Sequence, residues 1–309
     1  MASRALDLER DVLRILDERG VVSEVVCRDH HSNEVLEIRF EDGRVLVVKR
    51  APDPRLSRFH VSRRAARLAR RHTRLHVPEY LDLPGLPDVL AYWWLPWPTL
   101  ASLWRDRHDR RGLARSWGRR LGELHAIRLD GHGPLDGRRG GLRDWLDRDL
   151  RRRLAPAVGH AWPAARDLVT ALAAHVTALP EPPPTLVHND LFDRNVLCDP
   201  LRGEVVGMID FEDAFAGPPE ADVAKTELVH GPLFRDPLDG DWFDALLEGW
   251  GRAPDPALVS FFRAWNLVNM GYHASLQGFV DHVGALHRAL RAELDAFASG
   301  RRHRAVVAR

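Results

Sequence analysis

The sequence predicts an α+β protein of two lobes, a small antiparallel sheet at the amino-terminal end and a larger, helical body after it. Three observations predict it. Between residues 21 and 49, short β-branched runs alternate with turn signals. From Thr99 onward, long segments carry apolar residues at helical spacing. A Pro-bounded apolar stretch, residues 89–96, joins the two regimes. The boundary is expected at residues 95/96, which gives lobes of 1–95 and 96–309.

Residues 6–19 carry Leu8, Val12, Leu13, Ile15 and Leu16 on one stripe and stop at Gly20, the pattern of an amphipathic helix. Strands are expected at 21–26, 35–40 and 45–49, the last two joined by the turn Glu41-Asp42-Gly43-Arg44. A helix at 57–72 follows, then strands at 77–81 and 89–96. Helices are expected at 100–107, 111–128, 142–154 and 164–179, and the prolines of 180–184 make an extended lead into the strand Thr185-Leu186-Val187. Two further strands, 196–198 and 205–209, precede helices at 220–228, 241–250, 256–278 and 280–299. Trp145, Trp162, Trp242, Trp250 and Trp265 are read as core, with the lining of a planar acceptor's site as the alternative.

At 309 residues and 45% hydrophobic content the chain can bury a large core, and no run of eighteen apolar residues suggests a membrane span. The opening residues lack the apolar centre of a secretion signal. The two cysteines, Cys27 and Cys198, lie far apart without metal-ligand spacing, so a reducing, cytoplasmic setting is expected and zinc is not. The net charge of +1 hides an asymmetry: ten basic residues and one acidic residue between Lys49 and Arg74, against twelve acidic and two basic between Glu204 and Glu248. The first block could face phosphates and the second a metal or a cationic ligand, although most such residues are solvated helix faces. Basic residues on all faces of the 57–72 helix, with no aromatic stacking platform, argue against nucleic acid. Lysine occurs only at Lys49 and Lys225, and a compact ammonium at a strand end suits a phosphate contact.

Chemistry concentrates in the stretch from Leu186 to Asp213, where a polar loop carries His188, Asp190 and Asn195 and an apolar strand delivers Asp210. An Asn amide oxygen beside an Asp carboxylate is a hard donor set suited to Mg²⁺. Asp190 is then left to take the proton of an attacking hydroxyl, as phosphoryl transfer from a nucleotide requires. The alternative is a hairpin in which these residues only cap turns.

His188-Asn189-Asp190-Leu191, Asn195-Val196-Leu197, Ile209-Asp210-Phe211-Glu212, Gly217 and Asp222-Val223-Ala224 resemble the aminoglycoside phosphotransferase and choline kinase superfamily. These are small-molecule kinases that share the protein-kinase fold. The resemblance implies ATP as donor, with GTP also possible, and Mg²⁺ held by Asn195 and Asp210. It implies Asp190 as base, Lys49 on the phosphates, Ser32 and Asn33 in a hairpin over the nucleotide, and a hinge at residues 93–97 whose backbone, at Trp93 and Leu95, reads the purine edge. His188 would orient the loop, His125 would be a hydrogen-bonded core residue, and Asp222 would prop the loop.

The chain departs from that pattern at four places. Phe192-Asp193-Arg194 fills the middle of the loop where a small residue is common, Pro218 replaces an Asp, and His30-His31 stands where glycines approach phosphate. Arg64 occupies the helix position of the Glu that pairs with the lysine. Lys49 is thus left to a carboxylate elsewhere, to nucleotide and Mg²⁺, or to a lobe that binds ATP in another way. If no protein partner exists, it is expected to be loosely held in the free protein. The implied activity is ATP-dependent phosphorylation of a small-molecule hydroxyl, first an antibiotic, because the acidic stretch could attract a polycation. The alternatives are a metabolic kinase for an amino alcohol, amino acid or sugar, and a kinase-like binding protein without turnover. A monomer or homodimer is expected, with no nucleic-acid or membrane partner.

Overall fold

The computed structural model describes residues 2–16, 20–29, 34–51, 53, 57–83, 85–86, 88–104, 109–155, 159, 161–231 and 241–298. The expected α+β, two-lobed, kinase-like arrangement is what forms. In the amino-terminal part, α1 (Ala2–Leu16) is followed by β1 (Val22–Asp29), β2 (Glu34–Phe40), β3 (Val45–Arg50), α2 (Phe59–His72), β4 (Tyr80–Leu81) and β5 (Val89–Trp93). The five strands make one antiparallel sheet in the order β1-β2-β3-β5-β4. Alternation in β2 and β3 sends Leu36, Ile38, Leu46 and Val48 to one face, where Leu8, Val12 and Leu16 of α1 cover them. The β2–β3 turn closes because Asp42 accepts the backbone N–H of Arg44 at 3.0 Å, and Gly43 takes a φ of 84°.

The second part contains α3 (Leu100–Trp104), α4 (Arg110–His125), β6 (Gly133–Pro134), α5 (Leu142–Leu154), α6 (Arg166–Ala174), β7 (Thr185–Val187), β8 (Val196–Asp199), β9 (Glu204–Met208) and β10 (Phe215–Gly217). The helices α7 (Glu220–Val229), α8 (Trp242–Trp250), α9 (Pro256–Leu276) and α10 (Val280–Ala298) complete it. β7 pairs with β10, which pairs with β6, and β8 with β9 forms a separate hairpin. β6 and β10 escape a reading by periodicity because two or three residues cannot show a period. The helix expected over 164–179 is divided into α6 and flanking 3₁₀ turns. All five tryptophans named above are buried in the core. No helix of the described residues is long and apolar enough to cross a membrane.

Two features aim the polar loop. The β8–β9 hairpin is held on both edges: Cys198 N–H donates to the Pro98 carbonyl at 2.9 Å, while His76 exchanges backbone hydrogen bonds with Val206 and Met208 at 2.9 and 3.1 Å. Gly207 makes the second contact possible, since a Cβ there would overlap the His76 carbonyl oxygen. Helices α4 and α8 cross backbone to backbone, because Gly118 lies on the Leu246 carbonyl and Gly249 on that of Arg115. This close crossing brings Trp250 to the end of α4.

Gly249→Ala is expected to destabilise the fold by about 1–3 kcal/mol, the usual cost of overpacking a closed contact, beyond any gain in helix propensity. Urea denaturation checks this, and an unchanged midpoint would mean that the helices can separate without cost.

Candidate active site

Asp222, on the first turn of α7, has no solvent exposure. Its carboxylate accepts the backbone N–H groups of His188 and Asn189, at 2.9 and 2.7 Å, and the Nε2–H of His125 at 2.9 Å. Trp250 donates its indole N–H to Nδ1 of His125 at 2.9 Å, which leaves the imidazole proton on Nε2, facing Asp222. A buried carboxylate is stable only when its lone pairs are occupied, and three donors occupy these. Both expectations, a propping Asp222 and a hydrogen-bonded core His125, match this arrangement.

His188 is buried and turned toward β9. Its Nε2–H donates to the Ile209 carbonyl at 3.0 Å, its Nδ1 accepts the Asp190 N–H at 3.3 Å, and its ring packs on Phe211 at 4.4 Å. With both ring nitrogens committed, His188 orients the loop. Asn189 and Asp210 are the non-glycine residues in left-handed backbone among the described residues, with φ of 63° and 68°. Each such conformation costs on the order of 1–3 kcal/mol, here held by the Asp222 and His188 contacts.

The three candidate polar groups converge. Asn195 donates through Nδ2 to the carbonyl and to Oδ2 of Asp190, both at 2.8 Å, and its own carbonyl receives the N–H of Ile209, one residue before Asp210. Its amide hydrogens spent, the Asn195 side chain offers its oxygen to a cation. Burial pushes the Asp190 carboxyl above the ordinary carboxylate range, opposed by the charge of Lys225 and reinforced by Asp213 and Asp210. Burial acts in the same direction on Asp210, but Lys49 outweighs it and holds that carboxyl below the ordinary range.

Of the alternatives for Lys49, a carboxylate from elsewhere is the one that forms, so the condition for a loosely held side chain is not met. Its Nζ lies 3.0 Å from Oδ1 of Asp210 and 3.5 Å from Oε1 of Glu212. Burial alone would depress its pKa, and the carboxylates reverse this and raise it. Arg64 points to solvent, and α2 instead presents the small residues Ser62, Ala65, Ala66 and Ala69 inward. The 211–213 turn packs against α2, where Arg58 meets Asp213 at 2.9 Å, so the turn brings the carboxylate that α2 lacks.

Trp93 ends β5 opposite Leu46, with its ring 5.5 Å from Phe40 and beneath the Arg44 guanidinium. The N–H of the next residue, Trp94, goes to the Val45 carbonyl at 2.8 Å. Leu95 is half-buried in the linker that follows, and Trp97 stacks on His76 at 4.1 Å. Trp93 and Trp97 are spent on packing, while the Trp94 side chain is exposed. Ser32 and Asn33 lie outside the described residues.

A family model described as the phosphotransferase enzyme family matches residues 25–262. The chain belongs to that family. Solved structures similar to this phosphotransferase include a thermostable mutant of aminoglycoside phosphotransferase APH(4)-Ia in ternary complex with AMP-PNP and hygromycin B. It is 18% identical with a TM-score of 0.69, over 93% of this chain and 99% of that one. The macrolide 2'-phosphotransferase MphH from Brachybacterium faecium is 19% identical with a TM-score of 0.59, over 90% and 96% of the two chains. A putative fructosamine-3-kinase from Thermobifida fusca is 22% identical with a TM-score of 0.66, over 92% and 98%. This chain, too, is a small-molecule phosphotransferase.

Two residues that lie beside these polar groups were not selected from sequence. Glu212 appears there only as part of a motif, and Lys225, the second of two lysines, carried a compositional signal with no partner to interpret it. The acidic stretch also changes meaning, because its charges are used internally. Glu204 meets Arg119, Glu227 meets Arg263, and Asp241 and Glu248 meet Arg111, with Glu248 also on Arg115. Among the described residues, no group of three or more His, Cys, Asp or Glu is disposed to hold a metal alone.

Asp222→Asn in this phosphotransferase should lower unfolding free energy by about 1.5–3 kcal/mol, the range for a hydrogen bond to a charged acceptor. Chemical denaturation reads this directly, and a neutral result would remove Asp222 from its anchoring role. Lys49→Met should destabilise the ligand-free protein by roughly 1–3 kcal/mol, since it leaves Asp210 and Glu212 half-buried without their cation. A melting temperature equal to wild type would show that the ion pair contributes nothing to the apo fold.

Proposed function

We propose that this chain transfers the γ-phosphoryl group of ATP to a hydroxyl of a small molecule, with Asp190 accepting the hydroxyl proton. The observation that carries the reading is the convergence of Asn195 on Asp190 and Lys49 on Asp210, at 2.8 and 3.0 Å, at one end of the β8–β9 hairpin. The acceptor oxygen forms a bond to phosphorus, the bond to the bridging oxygen breaks, and ADP leaves. Asp190 is suited to hold the proton because Asn195 fixes one of its oxygens and burial makes its charge costly.

Asn195 Oδ1 and the Asp210 carboxylate would hold Mg²⁺, with nucleotide phosphates and water as the other ligands, consistent with a site too sparse to bind metal by itself. The ion, when bound, neutralises phosphate charge. Lys49 would turn from Asp210 and Glu212 toward the phosphates. The backbone around Trp93 and Leu95 would read the purine edge, with GTP as the alternative donor. In this reading residues 1–95 are the nucleotide lobe, and 96–309 hold catalysis and the acceptor. The AMP-PNP complex of a structural neighbour supports the nucleotide.

A hydroxylated antibiotic is the acceptor class we put first, supported by the aminoglycoside and macrolide phosphotransferases among the neighbours. The fructosamine kinase neighbour supports a sugar-type metabolite as the second reading. The attraction of a polycation by the acidic stretch loses force, because those carboxylates are paired internally. The enzyme is proposed to act in the cytoplasm, as a monomer or homodimer.

Asp190→Ala should lower turnover by about 10²–10⁴-fold with nucleotide affinity little changed, the scale of a positioned general base. Asp210→Ala should abolish Mg²⁺-dependent nucleotide binding, since it removes the charged metal ligand. A nucleotide-consumption screen over aminoglycosides, macrolides, nucleoside antibiotics, sugars and amino alcohols, followed by both variants on the best acceptor, tests the reading. Turnover of Asp190→Ala within threefold of wild type would sink the base assignment.

A further inference from the structure

The side of the base loop that faces α7 carries Lys225, whose charge acts on Asp190, and Phe192-Asp193-Arg194, which the catalytic reading leaves unused. Lys225 lies three residues after Asp222, so both project from the same face of α7 toward the 188–192 loop. Lys225 is 7% exposed, and its Nζ sits 5.8 Å from the centre of the Phe192 ring. The Arg194 guanidinium lies 4.4 Å from the same ring. Among the described residues no carboxylate is within ion-pair distance of either cation. Other cations around the site are spent: Lys49 on Asp210 and Glu212, and Arg58 on Asp213.

A buried ammonium with uncommitted donors is costly unless something accepts from it, and an oxyanion is the natural acceptor. The two lysines also divide the site: Lys49 lies against Asp210, on the sheet side, while Lys225 reaches the Asp190 loop from the helical side. From this geometry we propose that Lys225, with Arg194 beside it on Phe192, forms a specificity site for an anionic group, a carboxylate, on the hydroxyl acceptor. The inference rests on Asp190 being the base, because it takes the α7 side of Asp190 as the acceptor side. It narrows the acceptor to a hydroxyl compound bearing a carboxylate, and so favours the sugar-type metabolite over an aminoglycoside or macrolide. Phe192-Asp193-Arg194, in place of the small residues common in such loops, then serves as the platform that holds the two cations.

The test pairs carboxylates with neutral counterparts, sodium gluconate with glucose and glycerate with glycerol, at matched ionic strength. Calorimetric titration measures binding without nucleotide, and ATP affinity and ATP consumption are measured separately. The wild-type protein should bind the carboxylate of at least one pair more tightly than its neutral partner. Lys225→Met should weaken that binding by about 10–100-fold and erase the preference, while ATP affinity stays within about threefold, as expected for loss of a charge-assisted contact made only to the acceptor. Arg194→Ala, at an exposed position, should cause a smaller loss of about threefold and keeps the test open if Lys225→Met does not fold. No carboxylate bound in preference to its partner, or a preference that survives both substitutions, overturns the proposal. So does a fall in ATP affinity as large as the fall in gluconate or glycerate binding, which would make Lys225 a nucleotide contact. Preferential carboxylate binding without ATP consumption would support the anion site while removing the phosphotransfer reading.

Discussion

The Asp222 carboxylate is the constraint on which the site depends. A loop that turns through left-handed backbone at Asn189 has amides that no strand can satisfy, and burying them without acceptors would cost more than the loop's own contacts return. Asp222 accepts two of these amides and is itself kept in place by His125, which Trp250 holds in one tautomer. The chain of contacts reaches back to the glycines at which α4 and α8 touch. Close helix packing remote from the reacting groups therefore sets the position of Asp190.

Charge in this protein is governed by proximity. Twelve acidic residues in forty-five positions read as an acidic surface, yet folding sets five of the ten described against arginines from distant segments and two more against Lys49. Near the base loop the cations Lys225 and Arg194 stay without an ion-pair partner among the described residues, as do the carboxylates of Asp190 and Asp193. The same principle explains Lys49. No carboxylate of α2 reaches it, since Arg64 faces solvent and small side chains face inward, but the need to neutralise a buried ammonium does not vanish with the residue that usually meets it. The turn after β9 supplies Asp210 and Glu212 instead, and small side chains on α2 allow that turn to approach.

This pairing has a consequence for the ligand-free state. Lys49 and Asp210, the residues proposed to meet phosphate and metal, neutralise each other at 3.0 Å before any ligand arrives. Ligand binding must then exchange one set of charge contacts for another. Two opposite charges waiting in contact avoid the cost of two separately buried ions, and they remain preorganised at the end of the same hairpin.

Much of the fold was legible in the sequence, because periodicity, glycine and proline report local backbone preference directly. The β2–β3 hairpin with its Asp-Gly turn and α5 over residues 142–154 form where the pattern places them, and the amphipathic α1 forms at Ala2–Leu16, a few residues earlier than its stripe suggests. Asp190, Asn195 and Asp210 were legible as well, since their spacing brackets a hairpin whose geometry brings loop and strand end together. The short strands β6 and β10, the carboxylates on Lys49, the internal neutralisation of the acidic stretch and the placement of Lys225 beside Phe192 were not. Each depends on which distant segments come to lie side by side, and a buried charge is satisfied by whichever group is nearest in space, at whatever separation along the chain. The sequence by itself determined the lobes, the hairpin and the chemistry its loop can carry; tertiary packing alone decided which charges are spent in holding the protein together and which are left for a substrate.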